Sequence, residues 1–116
     1  MDEARVRGLM GLCARARQAV FGEDGCLKTI RSGDCALLLL DAEASAATKS
    51  KYAGSCASHG VPLRMLPAGL LADATGRPGV AMAVRRGGLA NQLLTCLPGE
   101  DNDTDTQMIS GGASVE

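Results

Sequence analysis

The side chains best suited to catalysis or metal binding are five cysteines, at positions 13, 26, 35, 56 and 96, and a single histidine, His59. No two cysteines have the Cys-x-x-Cys spacing of zinc and redox motifs, and an odd number of cysteines is atypical of a disulfide framework. Tetrahedral Cys/His sites therefore lack ligands at the required spacing. We expect reduced, mostly buried thiols and no metal centre.

Two further arrangements could support catalysis, and each has a simpler interpretation. His59 could activate a cysteine nucleophile, but it stands in a Ser-His-Gly sequence that is typical of a solvated turn. Glu23 and Asp24 could act as an acid/base pair, but two carboxylates in a first helical turn more often complement the helix dipole. The sequence also lacks the phosphate-loop, dinucleotide, nucleophile-elbow and zinc-protease motifs. These observations predict a protein without catalytic activity, cofactor or small-molecule substrate.

Apolar periodicity and turn residues predict the elements that position these side chains. The predicted helices cover about 3–15, 23–32, 45–58, 67–74 and 89–97, and the predicted strands cover 18–21, 35–40, 63–66 and 80–84. Helix and strand alternate throughout, which is typical of an α/β domain with helices on both faces of a small sheet. The expected fold class is therefore α/β, as a three-layer α/β/α sandwich.

Residue patterns also predict which face of each element is buried. Asp24, Lys28 and Arg31 recur at i, i+4 and i+7, so they share a polar face of the second helix. Every residue of the run 35–40 is apolar, which predicts a central strand that is covered on both faces.

The start of the alanine-rich third helix is clearly marked, but its sequence distinguishes a buried face from an exposed face only weakly. Ser45 is the expected N-cap. Ala53, Cys56 and Ala57 are the positions expected to face the core.

The charge distribution divides the chain near Pro98. All 12 basic residues precede Pro98, whereas five of the 13 acidic residues follow it, so the body has a net charge of +4. We expect residues 1–98 to form one domain and residues 99–116 to form an acidic, disordered tail. A basic body with an acidic tail is common among nucleic-acid-binding proteins, because the tail can compete with phosphates for the body.

Aromatic residues are scarce, since Phe21 and Tyr52 are the only two in the chain. Readers of single-stranded nucleic acid stack bases on several exposed rings. The scarcity excludes RNA-recognition-motif sheets and oligonucleotide-binding barrels. Nucleic-acid binding by this domain would depend on backbone amides, helix ends, basic side chains and shape.

Two segments carry a family resemblance. Residues 12–22 read Leu-Cys-Ala-Arg-Ala-Arg-Gln-Ala-Val-Phe-Gly, and residues 26–33 read Cys-Leu-Lys-Thr-Ile-Arg-Ser-Gly. Together with the apolar strand that follows, the acidic turn at 40–45, the His-Gly-Val-Pro turn at 59–62 and the segment 71–80, they resemble the L-seven-Ae/L-thirty-e family of ribosomal proteins. The likeness is closest to the small bacterial YlxQ-like members, and it covers nearly all of the body.

The resemblance implies a four-stranded mixed sheet and binding to structured RNA. The typical target in the family is the kink-turn, a sharply bent helix built on tandem sheared G·A pairs, which is bound by the N-terminus of the second helix and the loop before the last strand. A helix N-terminus offers free amides and positive potential, Gly22 permits close approach of a phosphate, and Lys28 can reach phosphate or guanine acceptors. Recognition of this kind needs no aromatic platform.

The sequence departs from the family pattern at this helix. Many kink-turn binders read Gly-Ala-Asn-Glu-x-Thr-Lys, whereas this chain, starting at Gly22, reads Gly-Glu-Asp-Gly-Cys-Leu-Lys. Gly22 and Lys28 match, whereas Asp24, Gly25 and Leu27 replace Asn, Glu and Thr. Asp24 can accept hydrogen bonds from guanine but cannot donate one as Asn does. It could instead cap the helix or pair with Lys28.

The resemblance extends the candidate surface to further basic residues and to a loop. Arg15, Arg17 and Arg31 would lie near one end or flank of the second helix and hold phosphates, or each could be solvated surface charge. Arg17 stands where YlxQ-like relatives usually have glycine. The loop around Pro78 would pack against the RNA bend, or be a simple tight turn. The candidate RNA-binding residues are Gly22, Glu23, Asp24, Gly25, Lys28, Arg31, Arg15, Arg17, Arg77, Pro78 and Gly79.

The leading hypothesis is a cytoplasmic, non-enzymatic protein that binds structured RNA, either rRNA or another kink-turn RNA, as a ribosome-associated accessory protein. Two alternatives stay open: a protein-protein interaction adaptor on the same fold that has lost base-specific RNA readout, and the recognition partner of an RNA-modifying enzyme. The longest apolar run is too short to cross a bilayer, and the first residues lack the pattern of a signal peptide, so no membrane partner is expected.

Overall fold

The computed structural model describes residues 2–97, and within them it contains five helices and four strands. The helices are α1 Glu3–Arg15, α2 Glu23–Arg31, α3 Ala46–His59, α4 Leu70–Thr75 and α5 Gly88–Cys96. The strands are β1 Ala19–Phe21, β2 Cys35–Asp41, β3 Leu63–Leu66 and β4 Ala81–Arg85. The predicted acidic segment 99–116 lies outside the described residues, and the domain limits stay a prediction.

The four strands form one mixed sheet in the order β1-β4-β2-β3. Strand β4 pairs antiparallel with both β1 and β2, and β2 pairs parallel with β3. The register places Phe21 opposite Met82 at one end of the β1/β4 pair and Ala19 opposite Val84 at the other. The predicted four-stranded mixed sheet is confirmed.

The leucine run in β2 explains how the sheet carries a helix layer on each face. Side chains alternate between the two faces of a strand. Leu37 and Leu39 therefore join the core under α1, α4 and α5, whereas Leu38 and Leu40 join the core under α2 and α3. All four leucines are fully buried. The predictions of a doubly covered central strand and of a three-layer sandwich are confirmed.

Helix α3 corrects one prediction about the core. Ser45 is its N-cap, and the Ser45 hydroxyl accepts a hydrogen bond from the Thr48 N–H, as expected. However, Ala53 and Ala57 are exposed, and Tyr52 is buried in their place. Alanine gives little preference for either face, so the large side chain sets the rotation of this helix.

The predicted boundaries of several elements also differ from the structure. Helix α4 begins at Leu70 instead of Pro67, because Gly69 adopts a left-handed φ of 82° at its N-cap. Strand β4 begins at Ala81, one residue later than predicted, and extends to Arg85. The helix predicted to stop at Pro98 ends at Cys96, and Pro98 lies outside the described residues.

All five cysteines are free, and four of them are buried. Burial raises the pKa of Cys13 to about 11, of Cys26 to about 11 and of Cys56 to about 12. Burial likewise raises the pKa of the Cys35 thiol. The thiolate is the reactive form of cysteine, and a raised pKa keeps these four thiols protonated at neutral pH. They are therefore core residues with little nucleophilic character. The prediction of mostly buried thiols is confirmed.

Residues 2–97 contain no group of three or more His, Cys, Asp or Glu side chains placed to hold a metal ion. Over the same range, no helix has both the length and the hydropathy needed to span a membrane.

The end of α1 places an arginine in a conformation that favours glycine. Arg17 has a φ of 58°, and it is the one residue other than glycine with positive φ among those the structure describes. The Gln18 N–H donates to the Cys13 carbonyl at 2.9 Å and the Arg17 N–H to the Ala14 carbonyl at 3.4 Å, the double hydrogen bond of a Schellman motif. The left-handed position of this motif is normally occupied by glycine, and here it is occupied by Arg17.

Arg17→Gly is expected to stabilise the fold by about 1 kcal/mol. The left-handed conformation costs an L-residue about 1–2 kcal/mol, which glycine avoids. Glycine also has more conformational entropy in the unfolded chain, so part of this gain in stability is lost. Chemical denaturation would measure the change. Arg17→Ala is the matched control, because it removes the same charge and leaves the strain, so it should leave stability nearly unchanged. Equal stability of the two variants would contradict this explanation.

Candidate nucleic-acid interface

The N-terminus of α2 presents unprotected backbone amides. Its N-cap is Gly22, with φ 87° and ψ 148°, and this residue has no side chain with which to cap the helix. The first helical hydrogen bond runs from the Cys26 N–H to the Gly22 carbonyl at 2.9 Å. The N–H groups of Glu23, Asp24 and Gly25 consequently have no hydrogen-bond acceptor within the helix, because no helical carbonyl precedes them by one turn. These amides and the positive end of the helix dipole make an anion-binding surface.

Gly25 brings the first turn of α2 against β1. A Cβ at this position would lie 2.8 Å from Cγ1 of Val20, closer than side-chain carbons approach in folded proteins. Glycine at this position therefore lets the first turn of α2 lie close to β1. A glutamate at Gly25 would push α2 away from the sheet.

Gly25→Ala is expected to destabilise the protein by about 1 kcal/mol, although alanine is the better helix former. Overpacking against Val20 costs about 1–3 kcal/mol, and the gain in helix propensity returns at most about 1 kcal/mol. Gly54→Ala is the matched control, since Gly54 lies in the interior of α3 with open space around it. It should stabilise the protein by about 0.5–1 kcal/mol.

Thermal or chemical denaturation would measure both glycine variants. In a Val20→Ala background, the cost of Gly25→Ala should disappear, because the colliding methyl group is gone. A stabilising Gly25→Ala in the wild-type background would show that α2 is free to move, and it would refute the close packing.

The two acidic residues of the first turn have different surroundings. Glu23 forms an ion pair with Lys51 of α3 at 2.5 Å, so a lysine largely offsets its charge. Asp24 is exposed, and within residues 2–97 it makes no ion pair. The expected alternatives for Asp24 are wrong: Gly22 is the N-cap, and Lys28 does not pair with Asp24. The Asp24 carboxylate thus remains available beside the amides.

The loop between α4 and β4 is held beside this helix end. The Arg77 guanidinium lies over the Phe21 ring, 4.5 Å from its centroid, at the end of β1 that leads into α2. This cation-π contact fixes the loop and keeps a positive charge at the surface.

Asp41 anchors the same region from inside. Its side chain is 2% exposed, and Oδ1 accepts a hydrogen bond from the Glu43 N–H at 2.7 Å. Oδ2 accepts another from the Gly69 N–H at 2.8 Å, and the Asp41 N–H donates to the Val80 carbonyl at 2.7 Å. One residue therefore ties together the turn after β2, the turn before α4 and the loop before β4.

An open pocket of about 210 Å³ lies between the α2 N-terminus and the loop before β4. Its lining residues come from three stretches of the chain: Gly22, Glu23, Thr48, Tyr52, Pro78, Gly79, Val80 and Ala81. The Tyr52 hydroxyl is buried and has no hydrogen-bond partner among the described residues. Burial raises its pKa, and the neighbouring Cys26 thiol instead donates to the Val20 carbonyl at 3.2 Å.

The structure separates the predicted basic residues into groups. Lys28 is exposed on α2, one turn from the amides, and Arg31 is exposed at the opposite end of that helix. Arg17 lies at the end of the sheet away from the pocket, as the register of β1 requires. Arg15 lies at the end of α1, on the other face of the sheet from α2, with Nη1 near Gly11. The predicted residues thus do not form one patch.

Comparisons with known proteins connect this geometry to a family. No family model matches the chain. The chain is 36% identical over 91 residues to the RNA-binding protein YlxQ of Bacillus subtilis, and the match covers 77% of this chain and 91% of YlxQ. The chain belongs to the L-seven-Ae/L-thirty-e family, in its YlxQ-like branch.

Solved structures support the fold of this family member. A protein of unknown function from Bacillus halodurans C matches with a TM-score of 0.75 and 31% identity, over 79% of this chain and 95% of that one. A 15.5kD RNA binding protein from Giardia lamblia matches with a TM-score of 0.68 and 15% identity, over 84% of this chain and 88% of that one. At 15% identity the second likeness concerns the fold alone.

Sequence reasoning missed two residues of the pocket region in this YlxQ-like protein. Asp41 was visible only as part of an acidic turn, because its partner Gly69 is 28 residues away. The sequence marks Tyr52 only as one of two aromatic residues, and its position in the pocket depends on the rotation of α3. A lone tyrosine in an alanine-rich helix was the available signal for a fixed rotation.

Proposed function

We propose that this protein binds a sharply bent, structured RNA of the kink-turn type and acts as a ribosome-associated accessory protein. The observation that carries the proposal is the joint surface of the α2 N-terminus and the loop before β4, with an open pocket between them. Its relatives support RNA as the partner, since YlxQ is named as an RNA-binding protein.

The amides of α2 would receive phosphate oxygens or base acceptors at the bend. Gly22 lets a phosphate or base approach the backbone closely, because it has no side chain and nothing in the protein lies within 4 Å of where its Cβ would be. Lys28, one turn further along, would bind guanine N7 and O6 or a phosphate. Asp24 would accept hydrogen bonds from guanine amino or imino groups, whose donors match a carboxylate.

Charge at the surface is compatible with an anionic partner. Glu23 is offset by Lys51, and Arg77 keeps its charge at the loop. The exposed carboxylate of Asp24 opposes nearby phosphates, so it would face a base edge.

The pocket would hold a nucleotide unstacked at the bend. RNA-binding proteins commonly recognise bases that bulges and loops expose. Pro78, Gly79 and Val80 form one wall of the pocket, and Val80 is 36% exposed. An apolar wall of this kind suits the face of a base.

The test is a binding titration against two RNAs that differ only at the bend. One RNA contains tandem sheared G·A pairs, and in the other these pairs are converted to Watson-Crick pairs. We expect tighter binding of the kinked RNA that persists at physiological salt. Equal binding of the two RNAs that disappears as salt rises would refute specific recognition. That result would favour the protein-protein adaptor, which is suggested by the replacement of Asn and Glu of the family pattern with Asp24 and Gly25.

Ribosome association needs its own measurement. Sedimentation of tagged protein through a sucrose gradient should place a fraction of it with ribosomal subunits or their precursors. Protein found solely at the top of the gradient would refute this part of the proposal.

A further inference from the structure

Four arginines surround the end of the sheet that lies away from the pocket. The Arg85 N–H donates to the carbonyl of Gln18 at 2.8 Å, and Arg17 directly precedes Gln18. Nε of Arg86 donates to the carbonyl of Gly33 at 2.7 Å, two residues beyond Arg31. All four arginines are exposed. We call Arg17, Arg31, Arg85 and Arg86 the distal arginine cluster.

The distal arginine cluster is strongly positive. Asp34 pairs with Arg85 at 2.8 Å, so one carboxylate opposes four guanidinium groups. The C-terminal ends of α1 and α2 contribute about −0.5 each and the N-terminal end of α5 about +0.5, which leaves a local charge of about +2.5. A guanidinium carries five N–H donors, so Arg85 and Arg86 keep donors for a ligand after their contacts within the protein.

The chemistry of the cluster favours a polyanion over an apolar protein partner. The large apolar side chains that are exposed within residues 2–97 are Leu12, Met65 and Val80, and none of them belongs to the cluster. Protein interfaces are centred on buried apolar or aromatic residues, whereas nucleic-acid backbones are bound by arginine and lysine.

The exposed face of α2 connects the cluster to the proposed bend-binding surface. Lys28 lies along this face and Arg31 lies at its end. Nine residues at about 1.5 Å per residue make α2 about 13 Å long. B-DNA advances about 3.4 Å per base pair and an A-form RNA duplex advances less, so an RNA stem needs at least about four pairs to cover this distance.

We infer that the distal arginine cluster binds the phosphate backbone of the RNA stem that continues from the bend. The inference rests on the proposed function and extends it, because it assigns a second contact surface and a minimum stem length. The protein then holds the bend at one end of α2 and the stem at the other. Arg85 and Arg86 join the RNA-binding residues, and Arg17 and Arg31 bind the stem and not the bend.

The experiment compares two kinked RNAs that differ in the length of this stem, about two and about eight base pairs. Wild-type protein should bind the long-stem RNA about tenfold more tightly at low salt, because each phosphate contact adds about 1 to the salt slope. Arg31→Gln/Arg86→Gln should bind the short-stem RNA as wild type does and lose the gain with the long stem. Its salt slope should fall by about 2 for the long-stem RNA alone.

Arg5→Gln/Arg7→Gln is the control, since it removes the same charge from α1 on the other face of the sheet and should keep the gain. Thermal melting verifies that all variants are folded. A distal double variant that keeps the gain, or that loses affinity equally for both stems, overturns the inference. The short-stem RNA with Watson-Crick pairs tests the proposed function separately, because its binding does not involve the distal arginine cluster.

Discussion

Replacing Lys28 with alanine is expected to lower the affinity for kinked RNA by about 10- to 100-fold. A positioned contact from lysine to guanine acceptors contributes about 1–3 kcal/mol of discrimination, and loss of the charge lowers the salt slope by about 1. Lys28 is exposed on α2, so alanine should keep the helix intact and leave protein stability nearly unchanged. Titration of kinked and fully paired RNA at two salt concentrations would measure both effects.

Arg5→Ala provides the control for Lys28→Ala, because it removes one positive charge from the other face of the sheet. It should change affinity by less than about twofold at physiological salt, where the charges of a surface are screened over about 8 Å. The preference for kinked over paired RNA separates two roles of Lys28. A base contact predicts that the preference falls in Lys28→Ala, and a phosphate contact predicts equal losses for both RNAs. Equal effects of the two substitutions would contradict any contact by Lys28.

Replacing Asp41 with alanine is expected to destabilise the protein by about 3 kcal/mol, which corresponds to a fall in Tm of about 15 °C. The buried carboxylate accepts hydrogen bonds from two backbone amides, at Glu43 and Gly69, and each bond to a charged group contributes about 1.5 kcal/mol or more. Alanine would leave both amides without this partner. Denaturation monitored by circular dichroism would measure the loss.

Two comparisons separate the hydrogen bonds of Asp41 from its charge. Asp41→Asn keeps one acceptor oxygen and should lose about half as much stability. Glu43→Ala changes an exposed residue of the same turn and should stay within about 0.5 kcal/mol of wild type. A loss of less than about 1 kcal/mol in Asp41→Ala would show that the turn after β2 and the turn before α4 are held by other contacts.

Local sequence signals predicted most of the fold. Val6, Leu9, Met10 and Cys13 at helical spacing defined α1, and all four are buried. The apolar run at 35–40 fits a central strand or a buried helix, and the flanking Asp34 and Asp41 favoured the strand that the structure contains as β2. The family resemblance implied a four-stranded mixed sheet, but the order of the strands was not predicted, since nothing local in the sequence determines which strands pair.

The errors in predicting the helices arose where small side chains do not distinguish a buried face, and where a glycine shifts the start of a helix. In α3, alanine left the rotation undetermined, and the burial of Tyr52 decided it. In α4, the proline suggested an early start, and the left-handed Gly69 delayed it. Both outcomes depend on contacts with the rest of the core, which the local pattern does not contain.

The candidate site was predictable only in part. The match of Gly22 and Lys28 to the family pattern pointed to the α2 N-terminus, so this part of the site came from the resemblance and not from local geometry. The split of the arginines between two ends of the sheet depends on the register of β1 against β4. The anchoring by Asp41 depends on a turn 28 residues away. Long-range pairing of this kind is established only when the chain is folded.

Under the proposed function, the anchoring of the loop by Asp41 and Arg77 would determine which molecule changes shape when the bent RNA binds. A surface already fixed by internal contacts pays little ordering entropy, so the cost of bending falls on the RNA. Apparent affinity then scales with the fraction of RNA that is already bent before the protein arrives. Two RNAs with the same contacted bases but different intrinsic bending would be bound with different affinities, and ions that promote bending would strengthen binding without touching the protein.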